Sequence, residues 1–178
     1  ISYTAATIAT LVLSLGISKA AIAALKPEVI SLKTLGYNRS IVMRGVNPEF
    51  EVSVPAPKGG LDPSASFAQL TIEPSSVLND NATVRLLVYG EPMKVVSVKQ
   101  LQANPVVKLP LPPLPQGESY INVAIQPHLY ISNDVRQDLP TGNLFLKINK
   151  DSFFQLTPQL TDNSIDGFFK SFYQQIDL

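Results

Sequence analysis

Between Pro27 and Leu156 apolar residues alternate with polar ones in short runs, and Gly, Pro, Asn and Asp separate the runs. A period of two puts successive side chains on opposite faces of an extended chain, so each run predicts a half-buried strand. The clearest are Phe50-Val52-Val54, Val84-Leu86-Val88 and Ile121-Val123-Ile125. Their polar neighbours point the other way: Glu49, Glu51 and Ser53 in the first, Arg85 and Tyr89 in the second, Tyr120, Asn122 and Gln126 in the third. Weaker runs over 29–35, 39–44, 65–73, 93–98, 106–111, 143–148 and 151–156 raise the total to about ten strands. No helical stretch intervenes, which excludes a parallel α/β fold. The pattern predicts an all-β, antiparallel β-sandwich of the jelly-roll or immunoglobulin-like type. Leu109 to Pro115 (LPLPPLP) reads as an extended crossover, because prolines cannot donate to a central ladder.

Two flanking segments break this texture. Ile8 to Ile17 is an apolar run followed by Ala21-Ile22-Ala23, the pattern of a secretory signal with cleavage after Ala23. An uncleaved membrane anchor or a buried helix are the other readings; Lys19 and the short core weigh against a full span, which needs about 20 apolar residues. The signal or the anchor places the remainder outside the cytoplasm. From Thr157 onward Ile165, Phe168, Phe169, Phe172 and Ile176 fall on one helical face. That stripe either packs on the sandwich or docks a following module or partner, with Phe168, Phe169 and Phe172 as contacts. The division predicted is 1–23, a signal or membrane segment; 27–156, a sandwich module; and 157–178, an amphipathic tail.

Composition narrows the chemistry. Lys+Arg and Asp+Glu are both 14, so the chain lacks the basic excess of a nucleic-acid binder. There is no Cys and one His, which removes the commonest zinc, iron–sulfur and thiol chemistries, and no cofactor is expected. Asp162, Ser164, Asp166 and Gly167 resemble the start of a calcium loop, but Tyr173 stands where its bidentate acid belongs. Asp134 and Asp138 are four apart in one loop, a spacing more typical of turn-forming acids than of a hydrolase pair. His128 has no evident catalytic partner and reads as a surface residue. No catalytic residue is expected.

What remains is the outward face of the strands. Sugars are held by aromatic rings against the apolar face of a pyranose, flanked by amides and charges that bond its hydroxyls. Tyr120, Asn122 and Gln126 share one such face, and Arg85 with Tyr89 offers another. Ordinary strand surface, where Tyr is favoured anyway, is the competing reading for each of them.

The order of three stretches resembles the periplasmic B subunit of bacterial cellulose synthase, in its first carbohydrate-binding, jelly-roll module. Leu32 to Leu35, Ile41 to Gly45 and Phe50 to Pro55 look like the family's opening strands. Leu70-Thr71-Ile72, Ser75 to Leu78 and Thr83 to Pro92 look like its strand pair closed by an Asn-Gly hairpin. Leu114 to Ser119, Asn143 to Ile148 and Asp151-Ser152 look like its Gly turn and late strand. The resemblance spans roughly 29–156. It departs at Tyr89, which replaces the hairpin Asn and disfavours a two-residue turn, so a longer loop through Gly90-Glu91-Pro92 is expected. It departs again at Phe145, which replaces a Trp but can still stack on a sugar. The resemblance implies a non-catalytic exported subunit that accompanies a membrane-embedded glycosyltransferase and guides a cellulose-like β-glucan chain. The alternative is a structural or protein-interaction sandwich without a sugar site.

Overall fold

The protein is described by a computed structural model over residues 26–132 and 142–159. The predicted signal segment, the Asp134–Asp138 loop, the Asp162 motif and Phe168, Phe169 and Phe172 lie outside the described residues.

Ten strands and one short helix form in chain order: β1 (Glu28–Ser31), β2 (Ile41–Arg44), β3 (Phe50–Pro55), β4 (Phe67–Pro74), β5 (Thr83–Val88), β6 (Glu91–Ser97), α1 (Val98–Ala103), β7 (Val106–Pro110), β8 (Tyr120–His128), β9 (Phe145–Ile148) and β10 (Phe153–Leu156). They pair antiparallel in two sheets. One has the order β3-β8-β5-β6; the other runs β1-β10-β4-β9-β2, with β7 on the opposite side of β4. The expected antiparallel sandwich is what the chain builds.

The alternation explains the packing. Val52, Val54, Val84, Leu86, Val88, Ile121, Val123 and Ile125 all point inward and are buried in one core with Leu70, Ile72, Leu146, Ile148 and Phe154 of the other sheet. Each such side chain contributes roughly 1.5–3 kcal/mol of transfer free energy, offset by the entropy of ordering it. Leu109 ends in this core from β7, and Leu111 follows it before the proline-rich crossover carries the chain to the other sheet.

The larger sheet is interrupted in a way that alternation alone does not reveal. β9 and β10 pair successive halves of β4, Ile72↔Ile148 and Gln69↔Phe153, and the chain between them leaves the ladder. Ser152 covers the gap: its Oγ accepts the Thr71 N–H at 3.0 Å, and its own carbonyl accepts Leu32 N–H at 2.9 Å. At 1% exposure this hydroxyl replaces a missing backbone acceptor where water cannot reach.

Two expectations need correction. The run 93–98 was expected to be all strand, but Val98 opens α1. Ser97 Oγ accepts Gln100 N–H, Gln100 Oε1 accepts Ser97 N–H, and Val98 and Leu101 plug the end of the sandwich. The longer loop expected after Val88 is instead a two-residue turn, with Val88 paired to Glu91, Tyr89 at φ 53° and Gly90 at φ 81°. Both central residues are left-handed, as a type I′ hairpin demands. Tyr89 is held there by its N–H bond to Asn122 O at 2.9 Å and by packing of its ring against the core. The extra residue expected in the loop appears further along, as a bulge opposite Leu86 and Leu87.

Candidate functional site

The register of the four-stranded sheet decides which outward side chains meet. Gln126 of β8 lies opposite Arg85 of β5, Asn122 opposite Ser53 of β3, and Tyr120 opposite Pro55. The two surfaces that the alternation separates, Tyr120-Asn122-Gln126 and Arg85, are therefore neighbouring columns of a single face. Leu87 and Ala124 pair between its two polar ends. Leu87 faces outward yet is only 9% exposed, giving the face an apolar floor.

One end of this face is a depression of about 490 Å³, lined by Asn47, Glu49, Thr83, Arg85, Gln126 and His128. Proline makes it. Regular β3–β8 pairing stops at Phe50↔Ile125, and Pro48 and Pro127, which cannot donate, occupy the chain just beyond. Contact resumes only where Leu129 N–H bonds Val46 O at 2.7 Å. The opened space holds side chains fixed by their own bonds. Gln126 Nε2 donates to Glu49 Oε1 at 2.7 Å, which leaves the Gln126 carbonyl as an acceptor, and His128 Nδ1 donates to Asn47 Oδ1 at 2.6 Å. The His128 ring also tilts against Tyr130, 5.6 Å between centroids.

At the other end Tyr120 is 53% exposed, a ring on the surface with no core to fill. Asn122 is oriented by Ser53, whose hydroxyl donates to Asn122 Oδ1 at 2.7 Å and frees the amide N–H₂ to donate elsewhere. Exposed aromatic, oriented amides, a guanidinium and a carboxylate thus line one strip. Such groups can stack on a pyranose and bond its hydroxyls without carrying out chemistry on it. Among the described residues no three His, Cys, Asp or Glu side chains gather as metal ligands.

Tyr89 and Phe145 are placed differently. The Tyr89 hydroxyl is buried and finds no hydrogen-bond partner among the described residues. Burial, aided by the Glu118 charge, raises its pKa above the usual 10.0. Phe145 belongs to the other sheet, opposite Arg44, whose guanidinium lies 5.7 Å from the ring centroid while donating to Gly142 O. Neither joins the strip. Conversely, alternation set Glu49 on an outward face without placing it in the strip and did not single out Asn47 or His128; Pro48 and Pro127 were the signal that a groove would open there.

The chain is thus a two-sheet antiparallel sandwich with an aromatic and amide strip on one face, and a family match gives its class, the carbohydrate-binding modules. Residues 26–160 match the family model described as "Cellulose synthase BcsB, first CBM domain", and the chain belongs to that family. No curated protein matches the chain. Among solved structures, the CBM36-1 domain of a multidomain xylanase from the hindgut metagenome of Trinervitermes trinervoides is similar at 6% identity and a TM-score of 0.36, covering 76% of this chain and 100% of that one.

Proposed function

We propose that the module is a non-catalytic, exported part of a cellulose synthase complex, lying in the periplasm beside the membrane-embedded glycosyltransferase, and that it holds a β-glucan chain on the outer face of the four-stranded sheet. Membership of a carbohydrate-binding-module family supports a glycan ligand. The observation that carries the choice of face is the register itself, which sets Arg85 directly beside Gln126 and continues through Asn122 to the exposed Tyr120. An open strip suits an extended polymer, because a chain in transit must enter and leave along it. The contacts are few and solvent-exposed, so free cello-oligosaccharide is expected to bind with a Kd near the millimolar range, about 4 kcal/mol.

Calorimetry with cellohexaose tests this. Tyr120→Ala and Arg85→Ala should each weaken binding by roughly five- to tenfold, the effect of about 1 kcal/mol per lost contact. Unchanged affinity in both variants would remove this face from the reading. No binding by the intact chain would favour a structural module that contacts protein only.

A further inference from the structure

The outer face of the larger sheet carries aromatic rings that its fold does not need. Its inner face is already complete with Ile30, Ala68, Leu70, Leu109, Phe154 and Leu156. Yet register brings two outward rows together on β1, β10, β4 and β7: Val29, Gln155, Phe67 and Pro110 in one, Ser31, Phe153, Gln69 and Lys108 in the next. Aromatic and amide alternate like a checkerboard, with Phe67 beside Gln155 and Phe153 beside Gln69. The diagonal neighbours touch. Phe67 and Phe153 meet edge-on at 6.2 Å and 64°, and Lys108 Nζ lies 3.6 Å from the Phe67 centroid. Both rings are partly exposed, and Val29 beside them is 59% exposed. A depression of about 500 Å³ adjoins Phe67, lined by that ring with Ser64, Lys108, Pro110 and Gln155.

We propose that this face is a second glycan-binding site, on which a pyranose lies in the corner between Phe67 and Phe153 and is held by Gln69, Gln155 and Lys108. The proposal rests on the reading of the module as a glycan binder but uses none of the residues of the first face. The choice of ligand follows from charge and polarity. Lys108 is the sole charged residue of the two rows, and its ammonium already rests on an aromatic ring, so the face is no anion cradle. A protein partner would meet a pair of rings flanked by Gln69, Gln155 and Lys108 rather than one broad apolar patch. A neutral polyol satisfies both kinds of group: its C–H face covers the Phe153 ring, since the lysine already rests on Phe67, and its hydroxyls meet Gln69, the Gln155 carbonyl and the lysine. Gln155 is held for this by its own Nε2, which donates to Ala65 O at 3.4 Å.

An amide-resolved NMR titration of the full chain with cellohexaose tests the site. Signals of Gln69, Lys108, Gln155 and their neighbours are expected to shift, to keep shifting in a Tyr120→Ala/Arg85→Ala double variant, and to lose at least about threefold in affinity in Phe153→Leu. Leucine keeps an apolar side chain on the strand, and an unchanged dispersion of the other signals verifies the fold. Shifts confined to the four-stranded sheet would overturn the second site and leave the first intact. Shifts confined to the Phe67 face would support it and withdraw the first. An absence of shifts anywhere would overturn both.

Discussion

Tyr89 is the residue at which local preference and fold disagree. A left-handed conformation is uncommon for a bulky side chain and costs about 1 kcal/mol, and here it comes with a buried hydroxyl that has no hydrogen-bond partner among the described residues. Tyr89→Phe keeps the ring on the core and removes the orphan, so it should stabilise the protein by up to about 1 kcal/mol in urea unfolding. The pH dependence follows from the raised pKa. A group that ionises less readily when folded supports stability fully below its unfolded pKa, near 10.0, and loses that support as pH rises through the folded value. Wild type should therefore lose stability above about pH 10, and part of that loss should vanish in Tyr89→Phe. Ser152 gives the opposite result: Ser152→Ala strands the Thr71 N–H in the core and should cost about 1–3 kcal/mol, read as a lower urea midpoint at constant slope. The role of Ser152 was not legible, because a serine pinning a ladder break has no periodic signature. Nor could the sequence reveal that core packing would force Tyr89 into a turn that its own preference opposes.

Among the elements, those with strict alternation were legible: β3, β5 and β8 contain the alternating apolar runs that predict them. Four-residue strands such as β9 and β10 were legible only to within a few residues, since so short a run has no period to count. Helix α1 escaped notice because six residues are too few for a 3.6-residue repeat to declare itself. Its capping signal, Ser97 followed three residues later by Gln100, was nonetheless in plain view. Ser97→Ala should cost about 1 kcal/mol and loosen Val98 and Leu101. Faster amide exchange confined to α1 and the adjacent end of β6 would be its signature. The β4–β9 ion pair is a weaker prop: Lys147 and Glu73 meet at 2.6 Å, directly opposite in register but both well exposed, and Lys147→Ala should change stability by less than about 1 kcal/mol.

At the scale of the molecule, alternation tells which side chains point outward, but only register tells which of them are neighbours. Arg85 and Gln126 are 41 positions apart and become a pair solely because β5 lies beside β8. Phe67 and Phe153 are more distant still, and nothing in either run marks them as partners across β4 and β10. The candidate face was thus half legible, its members named but its assembly invisible. The zero net charge has a spatial counterpart too, since both outer faces mix amides and rings with isolated charges rather than a field of one sign.

The prolines that open the groove beside β3 also govern how copies of this molecule can meet. A sandwich ends in edge strands whose unpaired N–H and C=O groups invite another strand to add on. The outer strand β3 is preceded by Pro48 and Glu49, carries Glu51 and ends in Pro55, while β6, at the far edge, has Pro92 and a bulge. On the other sheet, β1 and β2 are four residues long, and β7, the edge on the far side of β4, has five and ends in Pro110. Crowded at high density, neighbouring copies would find no long, flat edge among the described strands to zip onto, so on the proposed glycan-binding reading their spacing would follow the sugar rather than the protein. Exchanging Glu51 and Pro55 for valine should convert β3 into an adhesive edge, seen as concentration-dependent growth in light scattering, with the folded signature of each module otherwise retained.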